Sequence, residues 1–428
     1  MSSTFIFIFL AAVAFGVPIV FALVFAPLAG FVLAEQFVFL KVLPQRMFAG
    51  INQFPLLAIP LFMLAGQIMN VGDITSRLVR FANAIVGHLR GGLAHVNILS
   101  SIMFAGLSGS AVADTSALGS ILIPAMEKDG YTRRFAAAVT AASSIIGPII
   151  PPSIIMIVYA YVMQVSVGGL FAAGFVPGII MGGLLMAMTV FLARRRNYPK
   201  REHRARPAEQ WHAFRGAFLP LLTPVIILGG ILSGVFTPTE AAAAAVVYAL
   251  LLSLFVTRSL KLADLPRVLL RAGLSSAAIL LVIGAAVAFG WIAAVSRIPD
   301  ALGSALLAVS DNRYVLLFLI NILLLVVGMF LDAGPAILIL GPILAPTMIN
   351  LGVDPLHFAI IMSVNLTVGL ATPPIGLVLF VASSITREKV EVIAREMAPF
   401  LAVHLSVIML ITYIPEISMT LPRLLGLA

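Results

Sequence analysis

The residues of this 428-residue chain that could do chemistry fall in four short polar interruptions of otherwise apolar sequence. Two read as turn tips. The first runs from Gly106 to Ser116 and carries Ser108, Gly109, Ser110 and Asp114; the second, Phe330 to Pro335, carries Asp332 and Gly334. The other two read as broken helices. One passes from Ser143 and Ser144 through Gly147 and Pro148 to Pro151, Pro152 and Ser153, the other from Asn365 through Thr367 and Gly369 to Thr372, Pro373 and Pro374. Proline removes a backbone donor and displaces the carbonyl one turn earlier, and glycine lets backbone groups point at a ligand. Freed carbonyls beside Ser or Thr hydroxyls make an oxygen-rich nest suited to a weakly held monovalent cation. The N-terminal end of a half-helix suits a carboxylate. Gly and Pro also kink membrane helices with no further purpose, but two such segments matched at one offset, each beside a turn tip, favour a site.

A carboxylate in hydrocarbon costs at least about 2.5 kcal/mol, so Asp114 and Asp332 must face protein or water. Asp332, at a tip, suits an ion site or the cap of the following half-helix. Asp114, inside the return helix, suits a structural hydrogen bond. Glu240, after Thr237-Pro238-Thr239, reads as a helix-start residue, and His404 and Trp291 read as lone core residues. Enzyme signatures are missing. There is no Gly-rich phosphate loop, and His88, His95, His203, His212, His357 and His404 lack metal-ligand spacing. Ser108 and Ser110 have no histidine base to activate them.

The elements that position these residues must be membrane helices. The chain is 61% hydrophobic and 10% charged, with mean hydropathy +1.13, whereas a soluble domain carries about 25% charged residues. Its apolar runs (Thr4 to Ala34, Gly216 to Val235, Ala241 to Val256, Val315 to Phe330, Leu401 to Ile414) approach or exceed the roughly 20 residues that cross a bilayer. The start, Met1 to Thr4, lacks the basic flank of a signal peptide, so the first run reads as mature protein.

A shift of 222 positions superposes the chain on itself: Gly106 falls on Gly328, Gly119 on Gly341, Pro124 on Pro346, Gly130 on Gly352 and Gly147 on Gly369. Pro151-Pro152 falls on Pro373-Pro374. The fold class is therefore an all-α polytopic membrane protein with two repeats, residues 1–193 and 216–428, joined by a basic linker, 194–215. In the first repeat the reading gives apolar segments over 4–17 and 19–34, a span over 55–69, an amphipathic stretch over 72–90 and a hairpin near 93–128. A broken helix near 135–163 and a span over 170–193 complete it. The second repeat has a hairpin near 314–349 and a broken helix near 358–385. Residues 4–34 cross once or twice; two crossings fit the repeat and put both termini outside.

Charge sets orientation. Clusters around Arg77 to Arg90, Lys128 to Arg134, Arg194 to Arg215 (Arg201 included), Arg258 to Arg271 and Arg387 to Arg395 hold 21 of the 26 Lys and Arg residues, leaving Lys41, Arg46, Arg297, Arg313 and Arg423. Basic loops favour the cytoplasm, so the +9 net charge is explained by topology rather than by nucleic acid. The first hairpin ends among Lys128, Arg133 and Arg134, the second among Asn350, Asp354 and His357. Repeats facing opposite sides of the membrane would show that difference, so the topology reads as inverted, a recurring plan of secondary transporters.

At these residues the chain resembles the large membrane subunit of tripartite ATP-independent periplasmic (TRAP) transporters, over nearly its whole length. The resemblance rests on Phe54 to Phe62, Gly109 to Asp114, Ile123 to Met126 with Gly130-Tyr131, Gly147 to Ser153, and Ala371 to Gly376. It implies a bacterial inner-membrane, sodium-driven elevator importing an organic acid, with no cofactor. One sodium site would use Ser108, Gly109 and Ser110 with Ser143, Ser144 and Gly147. Another would use Asp332 and Gly334 with Thr367, Gly369 and Thr372. Substrate would sit between them, near Ser110, Pro151, Pro152, Asn365, Pro373 and Pro374. Implied partners are a small four-helix membrane subunit, here unfused, and a periplasmic binding protein that delivers the acid, besides membrane lipid. The competing reading is a stand-alone carboxylate or ion exchanger of related architecture that needs no binding protein.

Overall fold

The computed structural model describes residues 4–200 and 204–428, so Met1, Arg201 and His203 of the sequence reading lie outside the described residues. Every element described is helical. The chain opens with α1 (Thr4–Ala14) and α2 (Ile19–Leu33), then α3 (Val38–Ile51), a short 3-10 turn at Phe54–Leu57, α4 (Ala58–Val71) and α5 (Ile74–Val86). The first hairpin is α6 (Gly92–Ser108) and α7 (Ala111–Lys128); α8 (Arg133–Ser144) and α9 (Ile154–Met163) are the two arms of the first broken helix, and α10 (Val167–Arg195) closes the half. The second half begins with α11 (Pro207–Leu232), α12 (Pro238–Leu251, with a wider turn to Val256), α13 (Leu265–Val295) and α14 (Ile298–Val309). Its hairpin is α15 (Arg313–Phe330) and α16 (Ala333–Asn350), its broken helix α17 (Pro355–Gly369) and α18 (Leu377–Thr386), and α19 (Val390–Tyr413) and α20 (Glu416–Leu424) end the chain.

Among the described residues, eight helices are long and apolar enough to cross a membrane. Apolar side chains such as Phe15, Val38 and Leu262 point outward, as a surface solvated by lipid rather than water requires. The chain is a multi-pass membrane protein.

Three segments differ from the sequence reading. The expected pair of crossings over residues 4–34 is a pair of short helices packed on one another, 11 residues in α1 and 15 in α2. At 1.5 Å per residue the described part of α1 reaches about 16 Å and α2 about 22 Å. Next, α3 was absent from that reading because Lys41, Pro44 and Arg46 interrupt its apolar pattern. Finally, the basic stretch 194–215 is less a linker than expected: α10 continues to Arg195, and α11 already starts at Pro207, a residue preset for the first helical turn.

The helix bounds keep the offset seen in sequence. α7 starts at Ala111 and α16 at Ala333, and α8 and α17 start at Arg133 and Pro355; α9 and α18, at Ile154 and Leu377, are one residue out. One departure stands out. Where the first half has α3, a break at Asn52 to Leu57, and α4, the second has α13 running unbroken for 31 residues, about 46 Å. α13 packs on α3, α4 and α16, linking the outer helices to the second hairpin.

The basic segments of both halves converge at one end. Arg196 and Arg134 both reach Glu396, Arg90 donates to Asn197 Oδ1 (3.0 Å), and Arg133 donates to the Thr386 carbonyl (3.3 Å). Tyr131, Phe135 and Tyr198 stack beneath them. Arg313 and Arg423 instead share a separate recess with His357.

Candidate functional site

The first hairpin turns in two residues. α6 ends where Gly109 takes φ +61°, a conformation glycine adopts without steric cost. Ser110 then caps α7, its Oγ accepting the Ala113 N–H (3.4 Å). This tip lies on the first break: a Cβ on Gly109 would stand 2.7 Å from the Pro152 carbonyl oxygen. The break is held by tight turns, Ile146 N–H to Ser143 O (3.1 Å) and Gly147 N–H to Ser144 O (3.0 Å), until the cis Pro151-Pro152 pair and the Ser153 cap restart the helix.

Around it lies a dense polar cluster. Ser108 Oγ donates to Asp114 Oδ1. Ser101 Oγ donates to Ser143 Oγ (2.9 Å), Ser143 Oγ to Asn97 Oδ1 (3.2 Å), and Thr115 Oγ1 to Ser144 Oγ (2.7 Å). Asp114 is fully buried, and its Oδ2 has no hydrogen-bond partner. A Cβ on Gly147 would collide with that carboxylate. Asp114 therefore does more than make one structural hydrogen bond. It leaves a bare oxygen pointing at the break, and such an oxygen is costly unless something positive or polar meets it. Ser108 and Gly147 are thus brought against one buried carboxylate, with the Ser144 carbonyl beside Gly147, oxygens suited to a sodium ion.

The second site is built differently. Asp332 caps α16, its Oδ1 accepting the Ala333 N–H (2.8 Å). The second break approaches its hairpin closely through backbone: a Cβ on Gly369 would lie 2.5 Å from Gly328 Cα. Turns from Thr367 to Thr372 lead into the cis Pro373-Pro374 pair, after which Gly376, at φ +58°, donates to Met329 O (3.4 Å). The Thr367 and Thr372 hydroxyls donate to carbonyls of their own segment, Ser363 O (2.6 Å) and Val368 O (2.8 Å), which leaves their lone pairs free to accept or coordinate. Asn365 donates to Asn321 Oδ1 (2.8 Å), and Asn321 donates in turn to Thr412 Oγ1 (3.0 Å).

Both tips and both breaks meet around one cavity of about 390 Å³. Gly109 and Ser110 line it from the first tip and Pro148 from the first break; Asp332 and Gly334 line it from the second tip and Leu370 from the second break. Ala278 to Ile283 of α13 form the facing wall. Of the residues expected near substrate, Ser110 lines this cavity; Pro151, Pro152, Asn365, Pro373 and Pro374 do not. Asn365 is buried on α17 against α15, its amide nitrogen donating to Asn321 Oδ1 and Ile361 O while its Oδ1 has no partner. The α13 face, together with Ile154, Ile155 and Val158 of α9, was missed in sequence, where apolar helix residues look alike whether they face lipid, core or cavity. Glu240 starts α12 in a capping box with Thr237, as expected, and His404 is buried with Nε2 3.2 Å from Ala142 O. Trp291 is half-buried, packed against the core beside Phe39, and the Arg46 guanidinium lies 4.9 Å from its ring.

Two hairpin tips meeting two broken helices around one partly open cavity form an arrangement that suits a membrane transporter. The same fold occurs in the Alcanivorax borkumensis YdaH transporter (TM-score 0.60, 16% identity, 89% of each chain). It occurs also in Neisseria gonorrhoeae MtrF, described as an antimetabolite efflux pump (TM-score 0.57, 15% identity, 89% and 85% of the two chains). More specifically, residues 6–417 match the family model of the tripartite ATP-independent periplasmic transporter, DctM component, and the chain belongs to that family. It is 41% identical to the sialic acid TRAP transporter large permease protein SiaM of Vibrio cholerae, over 96% of this chain and 95% of the relative. Identity is also 41% to the C4-dicarboxylate large permease protein DctM of Rhodobacter capsulatus, over 89% and 90%. Against the isethionate permease protein DctMQ of Oleidesulfovibrio alaskensis it is 40%, over 94% of this chain and 64% of that longer protein.

Proposed function

We propose that this large permease subunit imports an organic acid across the bacterial inner membrane, driven by sodium. The observation that carries the reading is the shared cavity: two ion-suited turns, one with the bare Asp114 oxygen and one with Asp332, flank a single chamber large enough for a small molecule. The relatives are named for sialic acid, C4-dicarboxylate and isethionate, so an acid group is the common chemistry. Each sodium ion entering through ~100 mV contributes about 2.3 kcal/mol, and two or three suffice to drag an anion uphill.

In this reading the two hairpins and broken helices move together as an elevator against the remaining helices, with α13 as the fixed wall. The halves are inverted repeats, and the end gathering Arg90, Arg133, Arg134 and Arg196 faces the cytoplasm. A small membrane subunit widens the scaffold, and a periplasmic binding protein delivers the acid. The test is uptake by proteoliposomes holding both membrane subunits, with the binding protein outside. Uptake should need an inward sodium gradient and the soluble protein together. Full uptake on a proton gradient without sodium would overturn the coupling, and full uptake without the soluble protein would favour the stand-alone exchanger.

A further inference from the structure

The lining of the central cavity narrows the kind of acid it accepts. Among the described residues that line it, Asp332 is the one ionisable side chain, and no Lys, Arg or His reaches it. A ligand bearing two carboxylates would therefore bring a second negative charge into a chamber with no side-chain cation to meet it. Polar groups gather at the two tips: Ser110 and the first-turn amides of Ala111 and Val112 on one, Asp332 and Gly334 on the other. First-turn amides are free of intrahelical partners and attract one anionic group. The walls between are apolar, with Ile279, Val282 and Ile283 facing Ile154, Val158 and Leu338. A sugar acid would press its hydroxyls against these walls without partners, which is costly. An alkyl or aryl body would be matched.

We infer that this cavity selects monocarboxylates with an apolar body over dicarboxylates and polyhydroxylated acids. The inference rests on the transport reading above and refines its substrate. The carboxylate sits at the Ser110 tip, the body lies along Ile279 to Ile283 of α13, and Asp332 is left to a coupling cation.

Purified complex of the two membrane subunits, in detergent with sodium, should be titrated with isovalerate, phenylacetate, succinate and gluconate, following the thermal unfolding midpoint. Isovalerate or phenylacetate should bind at least about tenfold more tightly than succinate and gluconate, the scale on which apolar pockets discriminate. Val282→Thr, which adds a hydroxyl at nearly constant shape, should narrow that preference, and Leu338→Gln should narrow it further. Equal or tighter binding of succinate or gluconate would overturn the inference while leaving organic-acid transport standing. Binding of none of the four would overturn both.

Discussion

The two halves of this protein share a backbone plan and divide its chemistry. In the first, the hairpin and break are joined by side chains: Asn97 to Thr140, Ser101 to Ser143, Thr115 to Ser144. In the second, Gly328 packs backbone on backbone against Gly369, and one side-chain bond, Asn365 to Asn321, joins break to hairpin and runs on to Thr412. The carboxylates do not correspond either. At the shared offset Asp332 answers to Ser110 and Asp114 to Ala336. Asp332 therefore opens on the cavity, while Asp114 is sealed a turn deeper. Glycine and proline repeat because they shape the breaks; the polar side chains were free to specialise.

The sharpest way to break this comparison is Gly369→Val. Its Cβ would meet the Gly328 backbone at 2.5 Å, and backbone inside a hairpin cannot step aside as a side chain can. Overpacking of this kind costs about 1–3 kcal/mol or more, so uptake should vanish and the thermal midpoint of the purified protein should fall. Retention of uptake would mean the second break can move away from its hairpin, against the close packing described.

Gly147→Val should give the same loss of uptake with a smaller loss of stability, because what it strikes is the Asp114 carboxylate rather than backbone. The double change Gly147→Ala with Asp114→Ala tests that directly. It should recover the midpoint lost in Gly147→Ala alone yet leave sodium-dependent uptake abolished, since the bare oxygen has gone. Recovery of uptake would remove Asp114 from the ion site. Smaller again is Asn365→Ala, which leaves Asn321 without its donor and costs about 1–3 kcal/mol. Uptake per folded molecule should hold, because Asn365 lies away from the cavity; a selective rise in KM would return it to the substrate site.

Sequence alone reached the hairpins and breaks because both depend on Gly, Pro and hydroxyl residues that stand out in apolar surroundings. It placed the hairpins within a residue or two of α6–α7 and α15–α16. It reached less of the cavity. Ser110, Asp332 and Gly334 were legible as polar residues at tips, but Ile279 and Val282 carry no mark separating a cavity wall from a lipid face. Asn365 misled for the opposite reason. A lone amide in a broken helix looks like a ligand group, and its donation to Asn321, 44 positions away, is invisible in sequence, while its Oδ1 stays without a partner. Short helices were the other blind spot, since apolar runs fix neither the break between α1 and α2 nor the existence of α3.

The smallest effect separates the halves at their outer helices. α12 starts with a reciprocal cap, Thr237 N–H to Glu240 Oε2 (2.8 Å) and Glu240 N–H to Thr237 Oγ1 (3.3 Å). The corresponding α2 starts behind Pro18 with no side-chain cap. Thr237→Ala makes the second half resemble the first, and loss of such a cap costs about 1 kcal/mol. Thr237 is exposed and distant in sequence from every tip and break, so the midpoint should drop slightly while uptake and its sodium dependence stay at the parent level. A marked loss of uptake with an unchanged midpoint would show that the α11–α12 turn takes part in transport, and the proposed division between a moving, site-bearing core and a passive outer wall would have to be redrawn there.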